Sequence, residues 1–275
     1  MVASEARVCP DTPFIRFGVS RGFYTIAALT FFISLVATVY FCVSMDGGME
    51  MPGGWTMLMI WMRMPGQTWP ESAGMFVLMW IAMMIMMMLP SASPRLARLY
   101  HSLLDDDAPA AIATTMMAAF GYFAVWTIFG LCLYPIGIVI ASATMTLPAV
   151  SRMVPVLSGF GLILSGIFQF TRWKKVGLGG CGCHAELQIE ARGGPLRKGW
   201  MCGVREGKYC VICCSGLMLT LIILGSMNLL VMFIVAGVIT GEKLLRNYTL
   251  FSRLAGCIIV GGGMVMTVRS VAALW

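Results

Sequence analysis

An uncharged run of 18 residues decides how this chain must fold: residues 73–90 read AGMFVLMWIAMMIMMMLP. A helix needs about 20 predominantly apolar residues to cross a bilayer. The whole sequence shares this character, since 59% of its 275 residues are hydrophobic and only 11% are charged. A soluble domain carries about 25% charged residues. The sequence therefore predicts an all-α, polytopic bundle of transmembrane helices.

Other apolar runs predict the remaining helices of this bundle. We expect Pro90 and Pro135 to end the second and third spans, and the apolar piece 136–149 to be interfacial or re-entrant. We expect one long tilted helix over 209–241, because the run contains no proline. The result is a single transmembrane domain over 1–275 with about six spans, seven being the alternative; the predicted spans are 22–43, 73–89, 111–133, 153–171, 209–241 and 251–272.

The charge distribution predicts the orientation of the chain. Segment 172–208 has eight basic residues against three acidic ones, which places this cysteine-containing loop in the cytoplasm. Segment 44–72 is then an outer loop rich in methionine. The net charge of +7 reports topology and does not indicate nucleic-acid binding. We expect a multi-pass protein of the bacterial inner (plasma) membrane, with the lipid bilayer as its surroundings.

Methionines are concentrated in two parts of the chain. Seven of the 25 lie between Met45 and Met64, and seven more between Met75 and Met88. Thioether sulfur is soft and uncharged, and it suits Cu(I). The first group alternates with Gly, Pro, Trp and charged residues, so packing alone does not explain it. In the second group every fourth residue is Met, although a packing stripe would look the same. The candidate ligands are Met45, Met49, Met51, Met83 and Met87.

Six of the ten cysteines lie between Cys181 and Cys214. Cys210, Cys213 and Cys214, which we call the thiol cluster, have the spacing i, i+3, i+4 that brings side chains to one face of a helix. Met218 continues this face one turn later, and Cys181 and Cys183 are candidates to fold against it. Two or three thiolates suit Cu(I), whereas four in a tetrahedron would suit zinc.

Three stretches together resemble a bacterial family of predicted metal-binding integral membrane proteins. They are WIAMMIMMMLPSASP at 80–94, QFTRWK at 169–174, and GKYCVICC at 207–214, and the resemblance extends over about 75–245. The chain departs from the family pattern at Arg172 and Trp173, where the family has Pro and Leu, and at Gly177, where it has a cysteine. The resemblance implies metal binding and no established reaction.

These observations support three hypotheses about function. The first is a copper(I)-handling membrane protein, not an enzyme, that relays or delivers the ion from thioethers to thiolates. The second is an accessory or metal-supplying subunit of a membrane copper oxidase or monooxygenase. The third is a membrane thiol–disulfide oxidoreductase that uses Cys210 and Cys213. The expected partners are the metal ion and either other membrane subunits of a copper enzyme or a copper chaperone. Import, storage and delivery require the same ligands and remain open.

Overall fold

The protein is described by a computed structural model over residues 20–44, 48–51, 55–57, 61, 66–104, 108–179, 194–225, 228–245 and 248–272. Three candidate ligands, Met45, Cys181 and Cys183, lie outside these residues. The elements in chain order are α1 (Ser20–Ser44), β1 (Met49–Met51), β2 (Trp55–Met57), α2 (Trp69–Leu104), α3 (Ala108–Thr146), α4 (Pro148–Phe168), α5 (Arg172–Gly179), α6 (Pro195–Gly225), α7 (Leu229–Leu244) and α8 (Tyr248–Ala272).

Six helices of the described chain are long and apolar enough to cross a membrane: α1, α2, α3, α4, α6 and α8. The predicted helical bundle with six spans is therefore confirmed. Helix α7 has 16 residues and is about 24 Å long, which is shorter than the hydrocarbon core of a bilayer. Strands β1 and β2 pair into an antiparallel hairpin, and they are the only strands among the described residues.

The predicted helix ends at proline are wrong. Helix α2 continues through Pro90 and Pro94 to Leu104, and α3 continues through Pro135 to Thr146. Most of the piece 136–149 is therefore a continuation of a helix and not a re-entrant segment. A proline removes the N–H that would bond the carbonyl four residues earlier. At Pro94 the Ser93 hydroxyl donates to the Pro90 carbonyl oxygen at 3.3 Å, so a side chain replaces the missing backbone donor.

The predicted single helix over 209–241 is also wrong, because the run is divided between α6 and α7. Helix α6 ends at Gly225, whose φ of +108° is a conformation that glycine adopts readily. Asn228 caps α7 and accepts hydrogen bonds from Leu230 N at 3.0 Å and Val231 N at 3.3 Å. The chain then folds back, so that Lys243 near the end of α7 contacts Cys210 in α6.

Glycines allow α3 and α6 to lie side by side at close distance. Gly199, Gly203 and Gly207 follow one another at every fourth residue of α6, and a Cβ on any of them would press on α3. At Gly207 that Cβ would lie 3.1 Å from the Tyr122 carbonyl oxygen. Small residues at such positions permit close helix packing in membranes. This contact brings the next turn of α6, which begins at Cys210, against Tyr122.

Helix α2 provides the centre of the bundle. Its methionines from Met79 to Met88 are buried in one core with residues of α1, α3, α6 and α7. Trp80 donates from Nε1 to the Trp126 carbonyl oxygen of α3 at 2.9 Å, which fixes the rotation of α2. Phe76 stacks on Trp80 at 5.8 Å between ring centroids. The buried methionines therefore run from an aromatic layer at one end to the thiol cluster at the other.

Candidate metal centre

Helical spacing brings the three sulfur atoms of the thiol cluster together, as the sequence predicts. All lie within 4.8 Å of one another. The Sγ of Cys214 is 3.3 Å from that of Cys213 and 3.9 Å from that of Cys210. Three sulfurs bonded to one ion in a plane, each at about 2.3 Å, would be about 4 Å apart. The cluster can therefore take an ion by small side-chain rotations, and its cysteines are only 0–2% exposed.

A thioether lies beside the three thiols. The Sδ of Met88, on α2, is 4.0 Å from the Sγ of Cys210, and Met88 is completely buried. The sequence-based prediction named Met83 and Met87 on the neighbouring row of α2 and missed Met88. The spacing of four residues between Met84 and Met88 was the available signal, but only the contact between α2 and α6 selects that row.

Two further side chains surround Cys210, and the sequence alone did not indicate either. The Lys243 ammonium donates to the Cys210 Sγ at 2.8 Å and to the Ser91 Oγ at 3.4 Å. The Tyr122 hydroxyl lies 2.9 Å from the same sulfur. A cation at this distance stabilises a negatively charged sulfur. A thiolate at Cys210 therefore has a counter-charge and a hydrogen-bonding hydroxyl in direct contact.

Helix α5 covers the thiol cluster from a further side. A Cβ on Gly177 would lie 2.8 Å from the Cβ of Cys213, so this position, at which the resembling family has a cysteine, faces the cluster. The Lys174 ammonium bonds the Glu242 carboxylate at 2.6 Å, and both side chains are 2% exposed. This ion pair joins α5 to α7 one residue before Lys243.

The other candidate ligands fall into two groups. Met83, Met87 and Met218 are buried in the same core as the thiol cluster. Met49 and Met51 lie in β1, and Met51 belongs to a separate small cluster with Met57 and Ala141. The structure therefore places part of the predicted set in the core that contains the cysteines and the outer methionines elsewhere. The role of each as a ligand remains a prediction.

The fold and this centre define a polytopic helical membrane protein with a buried group of three thiols that could hold a soft metal ion. The chain belongs to the PpoB2 family, described as a copper chaperone, whose model matches residues 77–266. That range contains α2 from its third turn, the thiol cluster and Lys243. The resemblance to metal-binding membrane proteins is confirmed. No curated protein and no solved structure matches the chain.

Proposed function

We propose that this protein binds Cu(I) at the thiol cluster and delivers it to an acceptor protein. The observation that carries the proposal is the arrangement of three buried thiols within 4.8 Å of one another, with the Met88 thioether 4.0 Å from Cys210. Thiolate and thioether together are soft ligands that select Cu(I). The family description, copper chaperone, supports the same ion and a role without catalysis.

Charge balance is satisfied when two of the three cysteines bind Cu(I) as thiolates and the third stays a thiol. Cu(I) held by two thiolates carries one negative charge, and Lys243 supplies one positive charge 2.8 Å from Cys210. A net charge buried among helices is costly unless it is paired. The combination of ion, two thiolates and one ammonium is neutral, which lowers the cost of holding Cu(I) at this depth. Zinc remains the alternative ion and serves as a comparison in the experiment.

We further propose that the buried methionines of α2 lead Cu(I) toward the thiol cluster. Met79, Met83 and Met87 lie one turn apart and belong to the same core as the cysteines. Neutral thioethers bind Cu(I) less tightly than thiolates, so a path along this row leads toward higher affinity. Relay along α2 and delivery from the thiol cluster therefore both follow from the increase in Cu(I) affinity from neutral thioethers to charged thiolates.

The thiol–disulfide hypothesis is disfavoured by the family description, copper chaperone. It also gives no role to the Met88 thioether, which lies 4.0 Å from Cys210. The accessory-subunit hypothesis requires the same copper site and differs only in the acceptor. It predicts that a membrane copper enzyme co-purifies with this protein.

The test is Cu(I) binding by protein purified in detergent under anaerobic, reducing conditions. Competition with bicinchoninate and metal analysis by mass spectrometry are applied to the parent and to a Cys210→Ser/Cys213→Ser/Cys214→Ser variant. The matched control is Cys132→Ser/Cys257→Ser, which removes two free, exposed cysteines. We expect the parent and the control to hold one Cu(I) tightly at the thiol cluster and the triple variant to lose this ion, with zinc bound more weakly. Equal binding by the parent and the triple variant would overturn the proposal.

Movement across the membrane requires a separate readout. Proteoliposomes that contain a Cu(I) indicator and receive Cu(I) outside will report import. Delivery without import predicts no signal from the vesicle interior, but rapid transfer of Cu(I) from loaded protein to a thiolate acceptor added on the side of the thiol cluster.

A further inference from the structure

The hairpin β1–β2 has three methionines among its six residues, and none of them contacts the thiol cluster. Met51 and Met57 pack with Ala141 of α3, under the indole rings of Trp55 and Trp61. This small cluster is distinct from the core that surrounds the cysteines. The hairpin lies near the start of α4, because Trp55 donates from Nε1 to the Ser151 carbonyl oxygen at 3.0 Å.

The register of the hairpin brings its three thioethers to one face. Met49 pairs with Met57, and Met51 pairs with Trp55. Side chains alternate along a strand, and those directly opposite have Cβ atoms about 5 Å apart. Met49, Met51 and Met57 therefore share one face, and Thr56 lies on the other. The burial along β2 agrees, since Thr56 is exposed and Met57 is 3% exposed.

The three methionines differ in their access to solvent in a way that suits the capture of an ion. Met57 and Met51 are 3% and 9% exposed, whereas Met49 is 41% exposed. Two thioethers are thus held in place by packing, and the third is open to the surroundings. Trp55 and Trp61 pack against this cluster, and an indole face turned toward a bound monovalent ion would add a cation–π attraction.

The hairpin cluster contacts the core through Trp61. This ring packs on the hairpin methionines and also on Phe76, at 5.5 Å between ring centroids. Phe76 is 12 residues before Met88 on α2, which corresponds to about 18 Å along the helix. The hairpin and the thiol cluster therefore lie at opposite ends of the buried methionine row.

We propose that Met49, Met51 and Met57 form a second Cu(I) site made only of thioethers. The inference rests on the proposed function, because it supplies the place where Cu(I) first binds before it reaches α2. Thioethers have no proton to lose, so this site keeps its affinity in acid, whereas binding to thiolates weakens as protons compete. The site takes soft monovalent ions, Cu(I) and its analogue Ag(I), and excludes zinc.

The alternative explanation is that these methionines only fill space. Leucine has nearly the same volume, and such an exchange usually costs less than about 1.5 kcal/mol. Substitution by leucine therefore separates the two explanations, because it keeps the packing and removes the sulfur. The test variant is Met49→Leu/Met51→Leu/Met57→Leu. The matched control is Met116→Leu/Met153→Leu/Met264→Leu, which changes three exposed methionines on α3, α4 and α8.

Binding of Cu(I) is measured by bicinchoninate competition, and binding of Ag(I) by calorimetry, at about pH 5 and about pH 7. We expect the parent and the control to bind two ions and the hairpin variant to bind one. In a background without the three cluster cysteines, the hairpin site should bind one ion with the same affinity at both pH values. The single change Met49→Leu, at an exposed side chain, should weaken this binding about tenfold, or about 1.4 kcal/mol.

Equal ion counts for the hairpin variant and its control would overturn the inference and assign the three methionines to packing only. This failure is distinguishable from that of the proposed function. If the hairpin variant still binds as the parent does while the cysteine variant loses Cu(I), the thiol site stands and the hairpin site fails. If the cysteine variant binds as the parent does while the hairpin variant loses an ion, the hairpin site stands and the thiol site fails.

Discussion

Replacement of Lys243 by leucine is the sharpest test of how the thiol cluster holds a charged complex. The Lys243 Nζ lies 2.8 Å from the Cys210 Sγ, and Tyr122 contacts the same sulfur from α3. Leucine is apolar and uncharged and, unlike methionine, brings no thioether to the site, so Lys243→Leu removes the ammonium without adding a ligand for Cu(I). The change should weaken Cu(I) binding, because the negative copper–thiolate complex loses its counter-charge.

The distance between the Lys243 ammonium and the Cys210 sulfur sets the size of the expected loss of Cu(I) affinity. Two unit charges 2.8 Å apart attract by about 6 kcal/mol at an effective dielectric constant of about 20. Part of this attraction offsets the cost of removing the ammonium from water. Hydrogen bonds to charged groups contribute about 1.5–3 kcal/mol net. We therefore expect Lys243→Leu to bind Cu(I) about 10- to 160-fold more weakly than the parent.

The assay is competition with bicinchoninate for Cu(I) at constant pH. Lys243→Arg keeps the positive charge and should retain most of the affinity. Lys208→Leu is the matched control, because Lys208 is close to Cys210 in sequence but exposed, and it should bind as the parent does. A Lys243→Leu protein that folds normally and binds Cu(I) within about twofold of the parent would refute the reasoning.

Three further predictions concern stability, measured by unfolding in detergent. Lys174→Met should cost about 3–5 kcal/mol because it leaves Glu242 buried and unpaired; the double change Lys174→Met/Glu242→Gln should be more stable than the single one, and equal stability would contradict this. Gly203→Ala should lower the stability by about 1–3 kcal/mol because its Cβ would overlap the α3 backbone. Gly261→Ala should have little effect, because a Cβ at that position would meet no neighbouring atom within 4 Å. Asn228→Ala should cost about 1 kcal/mol through the lost cap of α7, and an unchanged stability would contradict that role.

Local patterns in the sequence were sufficient to predict the thiol cluster. The spacing of Cys210, Cys213 and Cys214 places three sulfurs on one face of any helix that contains them, and the structure has them together. The apolar runs likewise predicted six spans. Both predictions depend only on helical periodicity and on length, which tertiary contacts do not alter.

Features that depend on contacts between distant residues were not predictable in this way. As one continuous helix, 209–241 would have placed Lys243 about 50 Å from Cys210. The turn between Gly225 and Asn228 instead brings Lys243 within 2.8 Å of that cysteine. The prolines of α2 misled for a local reason, because the Ser93 hydroxyl, three residues along the helix, donates to the Pro90 carbonyl that Pro94 leaves without a backbone donor. Met88 was missed because the choice between two rows of α2 depends on a residue 122 positions away.

The two proposed sites differ in the physical properties that set the direction of transfer. The hairpin offers three neutral sulfurs and one exposed edge at Met49, so Cu(I) can arrive and leave easily. The thiol cluster offers thiolates, the Met88 thioether and the Lys243 ammonium in a buried position, so Cu(I) is held more tightly there. Passage from the first to the second is therefore downhill without an energy source.

Release requires an acceptor that also offers thiolates, because only such a ligand matches the affinity of the cluster. Helix α5 lies in its way, since Gly177 contacts Cys213 and the buried Lys174–Glu242 pair joins α5 to α7. We therefore expect an acceptor to displace α5, and the Lys174→Met/Glu242→Gln variant, which lacks this ion pair between α5 and α7, should transfer Cu(I) to a thiolate acceptor faster than the parent.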